Sequence, residues 1–163
     1  MKKINVLLST FFGYGYLTKI PGTVTSAVTA LFIYIAYEIL GYTDLKFSII
    51  FFGLLFFYSF YAVKDTESEF KNKDPRQIVI DEVLGQAMPL ILLLHLNQSN
   101  QLSLPIEIYY VLSFILFRFF DISKIGLKTI EKIPGTWGIL LDDIFAGLYS
   151  CIIQIILWKS LIT

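Results

Sequence analysis

Two adjacent carboxylates, Asp142 and Asp143, stand near the head of the apolar run GILLDDIFAGLYSCIIQIILW, where a membrane-crossing segment would ordinarily be flanked by Lys or Arg. A second pair, Asp81 and Glu82, precedes VLGQAMPLILLLHL, and Asp121 follows VLSFILFRFF. Five carboxylates at three such helix mouths repel one another unless cations lie between them. A divalent metal is the natural cation. Oxygen-only ligands suit Mg2+, and the chain has one His and one Cys, too few for a zinc set. Taken alone, Asp142 also reads as a helix N-cap, with Asp143 favoured by the positive end of the helix dipole.

Basic groups accompany the acids. In FRFFDISK, Arg118 lies three residues before Asp121 and Lys124 three after, which on a helix keeps one carboxylate between two cations. Such a set is either a salt-bridged helix end with snorkelling side chains or a phosphate clamp, Arg118 supplying a planar fork and Lys124 a point charge. The stretch TKIPGTVTS places Thr23, Thr25 and Ser26 just before a helix, where exposed amides and hydroxyls can cradle an anion, although Pro-Gly-Thr is also an ordinary turn. Lone Cys151 reads as a small buried hydrophobe and His95 as a membrane-interface residue.

The elements that position these groups are helices in lipid. The chain is 56% hydrophobic and 16% charged, too apolar for a soluble domain of 163 residues. Transmembrane helices need about 20 apolar residues. Residues 25–41, 46–63, 105–120 and 143–162 approach that length, and 83–96 is shorter. The expectation is an all-α, polytopic membrane bundle of about five transmembrane helices. A short N-terminal apolar segment, 4–17, spans, re-enters or lies along the surface. No linker or repeat divides the chain, so 1–163 reads as one membrane-embedded domain. Residues 64–74 are compatible with a helical continuation of the second span, ended by Asp74-Pro75, and 123–132 could hold an amphipathic helix. With a cytoplasmic N-terminus, every Lys and Arg except Lys46 and Lys159 falls on the cytoplasmic side, as the positive-inside rule requires. Most carboxylates fall there too, which topology alone does not explain.

Three blocks, PGTVTS (21–26), DPRQIVIDEVLGQ (74–86) and FRFFDISK with GTWGILLDDIFAG (117–147), together resemble the phosphatidylglycerophosphatase A family of bacterial lipid phosphatases. The resemblance implies a multi-pass enzyme of the bacterial cytoplasmic (inner) membrane, its site on the cytoplasmic side. Such an enzyme removes the terminal phosphate of phosphatidylglycerophosphate, with Mg2+, to give phosphatidylglycerol. The family's motif positions fall on Pro21, Gly22, Thr23 and Ser26, on Asp81, Glu82 and Gly85, on Arg118, Asp121 and Lys124, and on Gly138, Asp142, Asp143 and Gly147. Ile20, Thr25, the run Lys124-Ile125-Gly126-Leu127 and Pro134 depart from its pattern: charged positions match and loop-shaping positions drift. Gly85 and Gly147 each follow an acidic residue by four, so a close helix approach beneath the carboxylates is sterically open.

On that resemblance the expected scheme places Mg2+ on Asp81, Asp121 and Asp142 or Asp143, with Arg118 and Lys124 holding the phosphate alongside Thr23 and Ser26. Glu82 or the second aspartate of the pair then activates water, or an aspartyl-phosphate forms. The partners expected are this lipid substrate and membrane lipid, with no nucleic acid. A cation- or proton-coupled transporter is the rival, and acids confined to one face, with no trail across the bilayer, argue against it.

Overall fold

The structure is a computed structural model that describes residues 2–41, 44–66, 75–98, 104–130 and 132–162, save for the side chains of 159–162. These residues form seven α-helices and no strand: α1 (Lys2–Ser9), α2 (Tyr14–Leu17), α3 (Pro21–Tyr34, continued by a π-helical turn Ile35–Ile39), α4 (Leu45–Thr66), α5 (Ile80–Gln98), α6 (Ile106–Ser123) and α7 (Thr136–Ile162). Three segments are long and apolar enough to cross a membrane, Pro21–Ile39, Leu45–Thr66 and Thr136–Trp158.

The apolar segment 4–17 does not form one helix. α1 has eight residues, about 12 Å at 1.5 Å per residue, far short of the roughly 30 Å hydrocarbon core. Phe11, Phe12 and Gly13, all at positive φ, turn the chain before α2. One face of α1 is polar and packs on the end of α4: Asn5 Nδ2 donates to Asp65 at 2.7 Å, the Tyr58 hydroxyl donates to Asn5 Oδ1 at 3.0 Å, and Ser9 Oγ meets Thr66 Oγ1 at 3.3 Å. The Val79 amide donates to the Ser9 carbonyl at 2.9 Å, tying this lid to the start of α5.

α5 is the central helix. It packs on α3, α4, α6 and α7, and most of its side chains, including Leu84, Leu90 and Leu93, are buried in protein. Lipid therefore does not set its composition, which explains why a helix carrying Asp81, Glu82 and Gln86 is accommodated here. Its tightest contact is with α7. Pro89 has no N–H to offer the Gly85 carbonyl four residues earlier, and that carbonyl faces the bare Cα of Gly147: a Cβ on Gly147 would collide with it. A Cβ on Gly85 would in turn meet the Asp143 carbonyl oxygen and the ring of Phe117 from α6. The close approach read from the glycine spacing is thus present, with α6 wedged against it by Phe117.

Three helix starts differ from the expectation. α5 begins at Ile80, three residues before position 83. α3 begins at Pro21 and α7 at Thr136, earlier than positions 25 and 143, because Pro and Gly in first-turn and preceding positions initiate helices instead of delaying them. Asp142 and Asp143 are therefore inside α7, past its first turn, and the N-cap reading does not apply. Residues 125–130 form successive turns and not an amphipathic helix; the amides of Leu127, Ile130 and Ile133 each bond the carbonyl three residues back, and Leu127 is buried. α4 stops at Thr66 among the described residues, and the proposed continuation to Asp74 lies outside them.

Candidate active site

One cavity, of about 340 Å³, collects residues from every part of the sequence with chemical potential. Its wall comes from the start of α3 (Pro21, Gly22, Thr23), the start of α5 (Asp81, Glu82), the end of α6 (Arg118, Asp121, Ile122, followed by Lys124) and the second turn of α7 (Asp142, Asp143). Since α6 runs antiparallel to the other three, these are all one end of the bundle.

The Gly85–Gly147 crossing explains why the carboxylates meet. Asp81 and Glu82 lie about one turn above Gly85, and Asp143 one turn above Gly147, so backbones in contact bring carboxylates from the two helices together. Oxygens of Asp81, Glu82 and Asp143 lie within 4.8 Å of one another. At an effective dielectric of 20, two full charges at that separation repel by about 3 kcal/mol, so the trio requires a proton or a cation. Asp81 and Asp143 are buried, Asp143 to 3% exposure, which removes water as a screen.

Lys124 holds the other two aspartates. It ends α6 in the left-handed conformation, φ 49°, with its amide bonded to the Phe120 carbonyl, which turns the side chain back over the helix mouth. Its Nζ donates to Asp121 Oδ1 at 2.8 Å and Asp142 Oδ2 at 2.6 Å, and lies 3.6 Å from Asp143 Oδ1. Burial disfavours the charged ammonium, but Asp143, Asp121 and Asp142 outweigh that and raise it well above the ordinary lysine value.

Arg118 Nη1 pairs with Asp121 Oδ2 at 2.7 Å and lies 3.6 Å from Glu82 Oε1. It also donates to Ser26 Oγ at 3.4 Å, and Ser26 donates to the Gly22 carbonyl at 2.9 Å. The Glu82 carboxylate occupies the space beside Gly22 that a Cβ would fill, next to the amide-rich start of α3.

Among the site residues expected from sequence, Thr23, Asp81, Glu82, Arg118, Asp121, Lys124, Asp142 and Asp143 line this cavity. Ser26 does not; it is fully buried behind Arg118 and orients it. The carboxylates that approach one another closely enough for a shared ion are Asp81, Glu82 and Asp143, whereas Asp121 and Asp142 bond to Lys124. Sequence reasoning passed over Lys19 and Arg76 as topology markers, yet both line the cavity; their presence inside the TKIPGTVTS and DPRQIVIDEVLGQ blocks was the available signal. His95 is exposed near the far end of α5 and Cys151 is a half-buried free thiol in α7, neither near the site.

An acid-rich cavity walled with Arg and Lys, set at one end of a helical bundle with membrane-length apolar helices, offers the groups that a membrane phosphatase uses to hold a phosphate. The chain belongs to the phosphatidylglycerophosphatase A family, whose model matches residues 7–158. It is 30% identical over 160 residues to a phosphatidylglycerophosphatase A of Haemophilus influenzae, covering 94% of this chain and 91% of that one. It is 34% identical over 151 residues to a Bacteroides thetaiotaomicron protein whose name provisionally assigns it as a phosphatidylinositol-3-phosphatase, covering 91% and 89%. No solved structure matches the chain.

Proposed function

We propose that the chain hydrolyses phosphatidylglycerophosphate to phosphatidylglycerol and phosphate, with Mg2+, at the cytoplasmic face of the bacterial inner membrane. The observation that carries this reading is the composition of the charged cavity: Lys19, Arg76, Arg118 and Lys124 face Asp81, Glu82, Asp121, Asp142 and Asp143. That is one more anion than cation, so a dication would leave the cavity net positive and able to receive a phosphate monoester. Five helices, α3 to α7, are read as crossing the bilayer; α5 and α6, with 19 and 18 residues, reach about 27–28 Å.

The donor set fits Mg2+. It is all oxygen, it comes from two rigid helices, and its mutual repulsion is relieved by a dication. Asp81, Glu82 and Asp143 would hold the ion. One turn beyond Glu82, the fully buried Gln86 makes no side-chain hydrogen bond among the described residues, and a polar guest near the trio would satisfy it. When bound, Mg2+ supplies Lewis-acid polarisation of a phosphoryl oxygen.

The protein's own residues do the rest. Arg118 and Lys124 hold the phosphate oxygens, Arg118 by its fork, while Thr23 and the first amides of α3 add donors. Lys19 and Arg76 raise the potential at the mouth. Asp142 lines the cavity beside Lys124 and is not part of the trio; it takes a proton from the water that attacks phosphorus. The bond to the glycerol oxygen breaks, and that proton passes to the departing alkoxide. The positive charges of Arg118 and Lys124 stabilise the charge that develops.

The test is phosphate release by purified protein presented in parallel with phosphatidylglycerophosphate and phosphatidylinositol 3-phosphate. The expected result is turnover of the first well above the second. The reverse preference would move the substrate assignment to inositol lipids, and no release from either would overturn the hydrolase reading.

A further inference from the structure

A second cavity, of about 410 Å³, lies between α3 and α6. Unlike the first, its walls are almost entirely apolar. Ala27, Ala30 and Tyr34 form it on α3, and Phe114, Val111 and Glu107 on α6. Tyr34 and Tyr110 close its far end edge to face, with centroids 5.1 Å apart, and the Tyr34 hydroxyl donates to Glu107 at 3.5 Å.

Its position along the helices gives it meaning. On α3, Thr23 of the catalytic cavity is followed at helical spacing by Ala27, Ala30 and Tyr34, all on one face. On antiparallel α6, Ile122 and Arg118 of the catalytic cavity are followed in the same way by Phe114 and Val111. The two cavities are therefore consecutive stretches of one furrow between one pair of helices, charged at the membrane end and apolar beyond. The apolar stretch is a furrow because Ala27 and Ala30 are short, and it opens sideways past the exposed Leu31 and Val111. At 1.5 Å per residue the furrow runs about 16 Å along α3, from Thr23 to Tyr34, and about 22 Å along α6, from Ile122 to Glu107.

We infer that the α3–α6 furrow receives one acyl chain of the lipid substrate, fixing the depth at which its phosphate meets Arg118 and Lys124. The inference rests on the hydrolase reading and extends it from the headgroup to the tail. The occupant is an acyl chain because the furrow is largely apolar, opens sideways on the flank of the bundle and continues a site whose family acts on a phospholipid. Its contribution is positional. A chain leaving the bilayer for an apolar furrow gains no hydrophobic free energy, since lipid is as apolar as the wall, but it loses the freedom to present the phosphate at the wrong height.

The experiment fills the furrow with Ala27→Phe and, separately, Ala30→Phe. Ala27 is exposed and Ala30 half-buried, so the first variant leaves the packed side of α3 untouched. Turnover is measured on long-chain phosphatidylglycerophosphate in vesicles and on a water-soluble short-chain form. Misplacement of a reacting group by about 1 Å costs up to a hundredfold, so kcat/KM for the long-chain lipid should fall at least tenfold while the short-chain value stays within about twofold. Leu54→Phe, on the exposed face of α4, should change neither. A phosphatidylglycerol carrying a photoreactive acyl chain should crosslink to α3 and α6 in the wild type and lose that crosslink in Ala30→Phe. Long-chain turnover retained by both variants, or crosslinks falling on α4 or joining two copies of the chain, would overturn the assignment. Absence of turnover on both substrates by the wild type would instead overturn the hydrolase reading, and the crosslink would then decide the furrow alone.

Discussion

Gly147→Ala is the smallest change that attacks the geometry of the site without touching a charge. A Cβ there collides with the Gly85 carbonyl oxygen and falls 3.2 Å from its carbon and 3.3 Å from the Gly85 Cα, closer than the ordinary contact range of 3.4–4 Å. The obstruction is backbone on a packed helix, so no side chain can swing aside. α7 must withdraw from α5 by on the order of 1 Å, at a cost of about 1–3 kcal/mol typical of overpacking. Asp143, one turn above Gly147, moves with it and away from Asp81 and Glu82. A misplacement of about 1 Å costs around a hundredfold in rate, while a stability loss of that size leaves a folded protein. Purified variant and wild type would be compared by phosphate release and by thermal unfolding in the same detergent. Gly53→Ala, where a Cβ meets nothing within 4 Å, is the control and should leave turnover unchanged. Wild-type turnover by Gly147→Ala would refute the claim that this crossing positions the carboxylates.

Asp142→Asn and Asp143→Asn should each leave a folded, membrane-inserted protein with hydrolysis reduced at least about a hundredfold; near-normal release by both would mean that neither carboxylate acts in the chemistry. Arg118→Lys keeps the charge but loses the fork, and kcat should fall by about 10²-fold, the scale of losing one positioned donor; unchanged kinetics would show that Arg118 only neutralises Asp121. Lys124 titrates above its ordinary 10.5, so its stabilisation is full below 10.5 and lost as pH rises through its folded value. The unfolding midpoint of Lys124→Met should therefore lie below that of wild type by a constant margin between about pH 5 and 9, and the margin should shrink as pH rises above 10.5; a margin that grew instead would reverse the assignment. Cysteine at Lys128 should be shielded from a membrane-impermeant thiol reagent in intact cells and cysteine at Leu104 labelled, and the opposite pattern would invert the topology.

How much of this was legible in the sequence follows from the range of each interaction. Helix existence was readable because apolar runs in lipid are continuous, and the ion pairs of Arg118, Asp121 and Lys124 were readable because they are local, three residues apart on one helix end. Helix starts at Pro21 and Thr136 were read late, since hydropathy rises only after a first turn made of Pro, Gly and Thr. The break of 4–17 into α1 and α2 was not legible: positive φ at Phe11 and Phe12 has no residue signature. That Glu82 joins Asp81 and Asp143 in the close carboxylate trio, and that Lys124 reaches Asp142 across 18 residues, follow from how the helices are placed, which no spacing rule contains. Gly85 and Gly147 were legible as a pair that permits close approach, but Pro89, which frees the Gly85 carbonyl at their contact, gained meaning only once the helices were placed.

The most direct test of the central claim, that oxygen ligands from α5 and α7 and cations from α6 together hydrolyse a lipid phosphate monoester, is phosphate release from phosphatidylglycerophosphate by purified protein. It would be measured first in excess chelator and then after Mg2+ is restored. Release should be absent in chelator, return with Mg2+, and return poorly with Zn2+, as an all-oxygen site requires. Full turnover in excess chelator would contradict the account of the carboxylates, and no release under any condition would contradict the account of the reaction.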